Sequence, residues 1–154
     1  MRNDYPNPWD FSNSDKNLIS PNQNGKIVFS ELSEIAMGAP ISGQSFLIIN
    51  NAAIKLNDCT GGPIIWNESG DKVALPIWTK NRKQKIAIVN LNDLTITIFK
   101  KVFSVIQFCK FDNITLSGID SPIYKESLFN FDFNKENIES VKKLTDDDTV
   151  HSLK

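Results

Sequence analysis

The chain has 154 residues, of which 40% are hydrophobic, and this length and composition predict one domain with a buried core. Its 17 basic and 18 acidic side chains give a net charge of -1, so no overall field would attract nucleic acid or an anionic membrane. One histidine and two cysteines are too few for a histidine-based metal site, a zinc knuckle or a disulfide scaffold.

Residues 1–8 contain no apolar run of the kind that a secretory signal needs, and no stretch of the sequence approaches the length that spans a membrane. Two widely separated thiols fit a reducing compartment. We therefore predict a cytoplasmic protein in which Cys59 and Cys109 are reduced and buried.

Residues 1–25 are rich in Asn, Ser, Asp and Pro, with Trp9, Phe11 and Ile19 as the main apolar side chains. This composition predicts an irregular arm that packs through its aromatic residues. From residue 26 onward apolar runs alternate with polar turns, which predicts a β core over 26–133. The predicted strands cover 26–30, 45–50, 52–56, 73–78, 85–91, 94–99, 102–111, 113–118 and 127–133.

The turns between these strands predict antiparallel pairing. Three of them are the dipeptides Asn50-Asn51, Asn92-Asp93 and Asp112-Asn113. Asn and Asp tolerate the left-handed backbone conformation that tight hairpins require.

One strand pattern occurs twice. The polar turn 20–26 leads into Ile27-Val28-Phe29, and the turn 66–72 leads into Val73-Ala74-Leu75, 46 positions later. Four-stranded propeller blades repeat at roughly this interval. The predicted fold is therefore all-β and antiparallel, arranged as two propeller-like blades or as a β-sandwich.

The facing of several side chains favours two layers. Within 94–98 the Leu and Ile side chains share one face and the Thr side chains the other, and within 129–133 three Phe rings share a face. The consecutive apolar residues at 47–49 predict a strand covered on both faces. We expect the Phe strand to cover an otherwise open sheet.

The end of the chain predicts one short helix. Asn134 can cap a helix over 134–145, in which Ile138, Val141 and Leu144 recur at helical spacing. Residues 146–154 predict a frayed acidic tail.

The residues that carry chemistry are sparse. The only histidine, His151, lies in the predicted tail, so the sequence predicts no histidine-dependent catalyst, no metal and no cofactor. Two carboxylate pairs are spaced three positions apart in strands or turns, where they do not converge on one bond: Glu31 with Glu34, and Glu68 with Asp71.

Three segments combine Gly, Pro and large apolar side chains, at 36–40, 61–66 and 118–124. Each taken alone is typical of a corner turn. Together, at strand ends, they predict a common rim, because loops at the end of a rigid sheet are where binding surfaces are built.

Five segments in chain order resemble a group of small bacterial immunity proteins of polymorphic or type VI secretion toxins. The segments are SPNQNGKIVF at 20–29, EIAMGAP at 34–40, GGPIIWNESGDKVALPIW at 61–78, KIAIVNL at 85–91 and GIDSPIY at 118–124. The resemblance implies a cytoplasmic all-β inhibitor that binds a cognate toxin domain and has no catalysis of its own.

A toxin that acts on nucleic acid or a nucleotide would have a basic cleft, which acidic side chains complement, and aromatic residues commonly anchor interfaces. The predicted partner-binding residues lie in or beside the candidate loops: Glu31, Glu34, Met37, Asp58, Trp66, Glu68, Asp71 and Trp78. The positive segment 80–85 is the next candidate.

Three other functions stay open. The first is a ligand-binding module that stacks carbohydrate on Trp66, Trp78 or Tyr124. The second is an interaction domain that completes an incomplete propeller ring with another chain. An enzyme with carboxylate chemistry is the remaining interpretation.

Overall fold

The computed structural model describes residues 7–13, 15–34, 38–121, 126–144 and 149–150, and confirms an all-β antiparallel fold. Within these ranges the helical structure is one short 3-10 helix, Lys16–Leu18, so no helix there could cross a bilayer. Each predicted strand overlaps a strand of the structure, although the strand predicted over 102–111 begins only at Ile106. The strands are β1 Lys26–Glu34, β2 Ile41–Ile49, β3 Ala52–Thr60, β4 Ile65–Trp66, β5 Lys72–Trp78, β6 Gln84–Asn90, β7 Thr95–Phe99, β8 Ile106–Phe111, β9 Thr115–Asp120, β10 Ser127–Asp132, β11 Ile138–Lys143 and β12 Thr149–Val150.

The strands form two sheets. The larger has nine strands, with the order β1-β2-β3-β5-β6-β7-β11, β4 beside β5 and β12 beside β3. The smaller has three strands, in the order β10-β9-β8. Both copies of the repeated pattern lead into strands of the larger sheet, β1 and β5, so the two layers are not two separate blades.

The larger sheet supplies side chains to two cores. Its β1 to β3 half and its β5 to β7 half contribute to one cluster, which includes Ile27, Leu47, Ile54, Leu75 and Val89. The opposite face of β5, β6 and β7 packs against the smaller sheet, in a second cluster that includes Ala74, Ile88, Phe108, Leu116 and Phe131. β5 and β6 are therefore buried on both faces.

The Phe residues of β10 cover the larger sheet as predicted. The Phe131 ring meets Phe99 edge-on with 4.9 Å between centroids, and the Phe129 ring lies 4.8 Å from that of Phe103. Phe133 packs at the side of the same cluster. Edge-on aromatic pairs add to the burial of apolar surface.

The N-terminal arm covers the outer edge of β1. The side-chain amide of Asn13 donates to the Phe29 carbonyl at 2.5 Å and accepts from the Phe29 N–H at 2.7 Å, as a paired strand would. The Phe11 ring packs on that of Phe29, 5.3 Å between centroids. Ile19, predicted as an apolar anchor, instead has an exposed side chain and pairs with Lys26 through its backbone.

The predicted helix over 134–145 is wrong, because 138–143 form β11 on the edge of β7. A register shift at Glu139 inserts one extra residue, so that Ile138 lies opposite Phe99 and Val141 opposite Thr97. The bulge puts two apolar residues three positions apart on one face, which imitates helical spacing. Strand pairing satisfies the outer backbone groups of β7, which a helix would leave unpaired.

Two other expectations are corrected. Asn50 and Asn51 are left-handed, with φ of 51° and 64°, but the 92–93 turn places Leu94 in that region instead, at φ 52°. The pair at 112–113 has no positive φ.

The two cysteines are less buried than predicted. Cys109 is exposed, because the β8 register shifts beside it, and Cys59 is half-buried; both thiols are free.

The predicted acidic tail is described only at Thr149 and Val150, which pair with Ile54 and Ala53 of β3. The rest of the tail, His151 included, lies outside the described residues.

Replacing Phe131 with Ala should lower the free energy of unfolding by about 3–5 kcal/mol, because Phe131 is fully buried between the two sheets. Leu128→Ala in the same strand is the control, since Leu128 is 83% exposed and its truncation should change stability by less than about 0.5 kcal/mol. Urea denaturation measures both. Equal losses would show that β10 does not hold the sheets together.

Candidate interaction rim

The antiparallel register gives the larger sheet two ends. Lys26 lies opposite Ile48 and Glu34 opposite Ile41, so β1 runs from one end to the other. We call one end the asparagine end, formed by the turns at 20–26, 50–51, 67–71 and 91–94. We call the other end the rim, formed by the β1–β2 hairpin, the end of β3 with Gly61 and Gly62, and the β5–β6 hairpin.

The predicted partner-binding residues do not form one site. Four lie at or near the rim: Glu31, Glu34, Asp58 and Trp78. Three lie at the asparagine end: Trp66, Glu68 and Asp71. Met37 lies outside the described residues.

The rim acids Glu31 and Glu34 are exposed and held by local backbone geometry. Glu31 occupies a bulge of β1, with φ of 60°, opposite Gly43 of β2. A Cβ at Gly43 would lie 2.7 Å from the Ser30 carbonyl oxygen, so only glycine fits opposite this bulge. The Glu34 carboxylate accepts the Gly38 N–H at 3.1 Å, which fixes it on the hairpin.

Asp58 and Trp78 flank the same end on the neighbouring strands. Asp58 is exposed on β3 and makes an ion pair with Lys55. Trp78 is half-buried at the end of β5, opposite Gln84. A Cβ at Gly61 would lie 3.1 Å from Trp78 Nε1 and 2.8 Å from Gln84 Nε2, so both donors face this glycine.

Gln84 joins the two sheets at the rim. Its side chain is 0% exposed, and Oε1 accepts the Ile106 N–H of β8 at 2.6 Å. Neither Gln84 Nε2 nor Trp78 Nε1 has a hydrogen-bond acceptor among the described residues. Next to Ile106, the Asp120 carboxylate accepts the N–H of Val105 at 3.1 Å.

The described parts of the three predicted rim segments meet at this end through a chain of contacts. Trp9 Nε1 donates to the Gly38 carbonyl at 3.1 Å, and the Phe11 ring packs against Gly62. Ser121 donates its N–H to the Val105 carbonyl at 2.9 Å, beside β8. Tyr124, in the last segment, lies outside the described residues.

Sequence reasoning gave too little weight to positive charge at the rim. The β5–β6 hairpin presents exposed Lys80, Arg82 and Lys83, and Lys100 and Lys101 follow the adjacent end of β7. Lys85 instead makes an ion pair with Glu139. The rim is therefore acidic at the β1–β3 corner and basic at the β5–β7 corner.

Asp71 is a structural residue of the asparagine end. Its carboxylate accepts from Asn67 at 2.7 Å, from Ser69 at 2.8 Å and from Asn92 at 3.1 Å, joining two turns. The Asn67 and Ser69 hydrogen bonds are the main causes that lower the pKa of Asp71 below its ordinary value of 3.8.

Trp66 is half-buried and packs against the core of the larger sheet. Its ring packs beside Gly25, where a Cβ would lie 3.3 Å from Trp66 Cη2. The indole ring is therefore a packing residue rather than an exposed anchor. Glu68, by contrast, is exposed in the turn that follows.

The two repeated turns touch each other at the asparagine end. Asn22 of the first turn donates to the Ser69 carbonyl of the second at 2.9 Å. Gly70 has φ of 76°, and a Cβ there would lie 2.8 Å from the Asn22 side chain. This contact and the positive φ explain why the second turn has glycine at position 70.

A groove of about 300 Å³ lies on the outer face of the larger sheet, beside the smaller one. Sequence reasoning missed it, although the Thr face predicted for β7 forms its floor. Its lining is Lys72, Ile88, Asn90, Asp93, Thr95, Thr97, Phe99, Phe133, Ile138 and Val141.

No group of three or more His, Cys, Asp or Glu side chains in the described ranges is placed to hold a metal ion. No protein-family model, no curated protein and no solved structure matches the chain.

Asp71→Asn should lower the free energy of unfolding by about 1–3 kcal/mol at neutral pH, because hydrogen bonds to a charged acceptor are lost. The pKa of Asp71 is lower in the folded state than its ordinary value of 3.8. Its charge therefore stabilises the fold fully at pH values above 3.8, and this stabilisation is lost as the pH falls through the folded-state pKa.

The difference between the wild type and Asp71→Asn should therefore shrink below pH 3.8, as measured by urea denaturation across a pH series. Glu68→Gln, in the same turn, is the control and should leave stability nearly unchanged. A difference that persists at a pH of about 2 would show that the charge of Asp71 is not what stabilises these turns.

Proposed function

We propose that the chain is an immunity protein that binds a cognate bacterial toxin domain through the rim and neutralises it by occlusion. The sequence resemblance to immunity proteins supports this proposal. The structural observation that carries it is the placement of exposed Glu31 and Glu34 at the rim end of β1, where the Glu34 carboxylate accepts the Gly38 N–H.

The rim acids are suited to a basic cleft. Acidic side chains that face a basic surface speed up encounter more than they raise affinity, and the effect falls as salt screens it. Trp78, half-buried at the same end of the sheet, supplies an aromatic contact of the kind that anchors interfaces. Trp66 lies at the asparagine end instead and packs against the core.

The packing of Trp66 also weakens the carbohydrate alternative. A stacking platform must offer an open ring face. The Trp66 ring is half-buried, with Cη2 against Gly25 and packing against the core.

The proposal predicts that a toxin domain is encoded beside this chain, and the direct experiment is co-expression with that domain. A tagged copy of the chain should co-purify with that domain and should restore growth to cells that express it. Absence of both a complex and protection would exclude the toxin as partner.

Charge reversal tests the rim itself. The double variant Glu31→Lys with Glu34→Lys should slow association with the toxin domain by about tenfold at low salt, because steering is lost. The same comparison in roughly 0.5 M salt should show a much smaller difference, since the Debye length falls to a few Å. Stopped-flow or surface plasmon resonance measures both rates.

Glu68→Lys is the control, since Glu68 is also an exposed acid but lies at the asparagine end. It should leave association unchanged. If it slows association as much as the rim variant does, net charge and not the rim is responsible. An unchanged association rate for the rim variant at low salt would show that the interface lies elsewhere.

A further inference from the structure

Three of the strand edges in the larger sheet are the outer sides of β1, β3 and β11, and described residues cover the first two. The arm covers the outer edge of β1, through Asn13 and Ile19. β12 and the end of β5 pair with the second edge of β3. The third edge is the outer side of β11, against which no described strand pairs.

β11 is exposed along its whole length. All six of its side chains are exposed, including Ile138 at 48% and Val141 at 59%. Half of the backbone groups of an edge strand point away from its neighbour, so about three N–H and three C=O groups face outward. A second strand of polypeptide satisfies such a row of alternating donors and acceptors.

The apolar side chains of β11 face the groove. Ile138 and Val141 line it together with Phe99 and Phe133. A strand added beside β11 would place alternate side chains on the same face, where they cover Ile138 and Val141. Apolar residues at alternate positions of the added strand would therefore contact Ile138 and Val141.

Charge indicates one further residue of the added strand. Lys143 is exposed and lies opposite Thr95, on the groove face of the sheet. Lys72 also lines the groove, where Asp93 offsets its charge. At the opposite end of β11, Glu139 is already paired with Lys85. An acidic residue opposite Lys143 therefore complements the edge.

We propose that β11 and its groove are a second interaction site, which takes up an extended strand of a partner protein by sheet extension. The partner strand has apolar residues at alternate positions and an acidic residue that meets Lys143. This site is separate from the rim and does not depend on the proposed function.

The probe is a fluorescein-labelled hexapeptide with the sequence Glu-Thr-Val-Thr-Val-Thr, whose glutamate meets Lys143 in antiparallel pairing. Fluorescence anisotropy with the full chain should show saturable binding with a Kd below roughly 1 mM. A peptide methylated on its backbone nitrogens keeps the side chains but loses the donors, and should bind at least about tenfold more weakly. Absence of saturation, or equal binding of the methylated peptide, overturns the proposal.

Charge exchange distinguishes a direct contact from loss of folding. Lys143→Glu should weaken binding of the glutamate peptide about fivefold. It should strengthen binding of a peptide in which lysine replaces that first glutamate. Lys80→Glu, at the rim, should do neither. Val141→Ser should weaken binding, whereas Val102→Ser, at an exposed valine between β7 and β8, should not. Equal effects at Val102 or Lys80 overturn the assignment.

Hydrogen exchange locates the peptide. Binding should protect amides of 138–143, and protection of 127–132 instead would place the strand on β10 and overturn the proposal.

Sedimentation of the free chain measures its oligomeric state. Dimers that the peptide dissociates would show that the occupant is a second copy, and would overturn the assignment to a different partner.

Discussion

The burial of both faces of β5 and β6 is the constraint on which the rest of the structure depends. Val73 and Leu75 enter one core, while Ala74 and Ile86 enter the other, so neither sheet closes a core without these two strands. Strands buried on both faces need apolar side chains at consecutive positions. The hairpin that joins β5 to β6 is held from both sides, which fixes the position of the rim.

The strands could be predicted because their signals are local. Alternation in 94–98 and 129–133 sets which side chains face a core, and both patterns match the observed burial of Ile96 and Phe131. The two left-handed Asn residues at 50–51 fix a tight hairpin. Such features depend on neighbouring residues alone.

Features that depend on long-range pairing could not be predicted. The bulge at Glu139 is visible only in the register with β7, and without it the spacing of Ile138 and Val141 is typical of a helix. The division of the candidate residues between two ends depends on strand order, which places Glu68 and Glu34 far apart along the sheet. The role of Trp66 depends on Gly25, a contact between distant parts of the chain.

The pairing of β11 with β7 also has a consequence for the order of folding. Residues 100–137, which include the whole smaller sheet, lie between these two neighbouring strands. Closing such a long loop costs chain entropy before any contact between its ends is made. The hairpins β1–β2, β2–β3 and β5–β6 are local and form without that delay. We therefore expect β11 to join the sheet late, once β8, β9 and β10 have shortened the effective loop by folding onto β5 and β6.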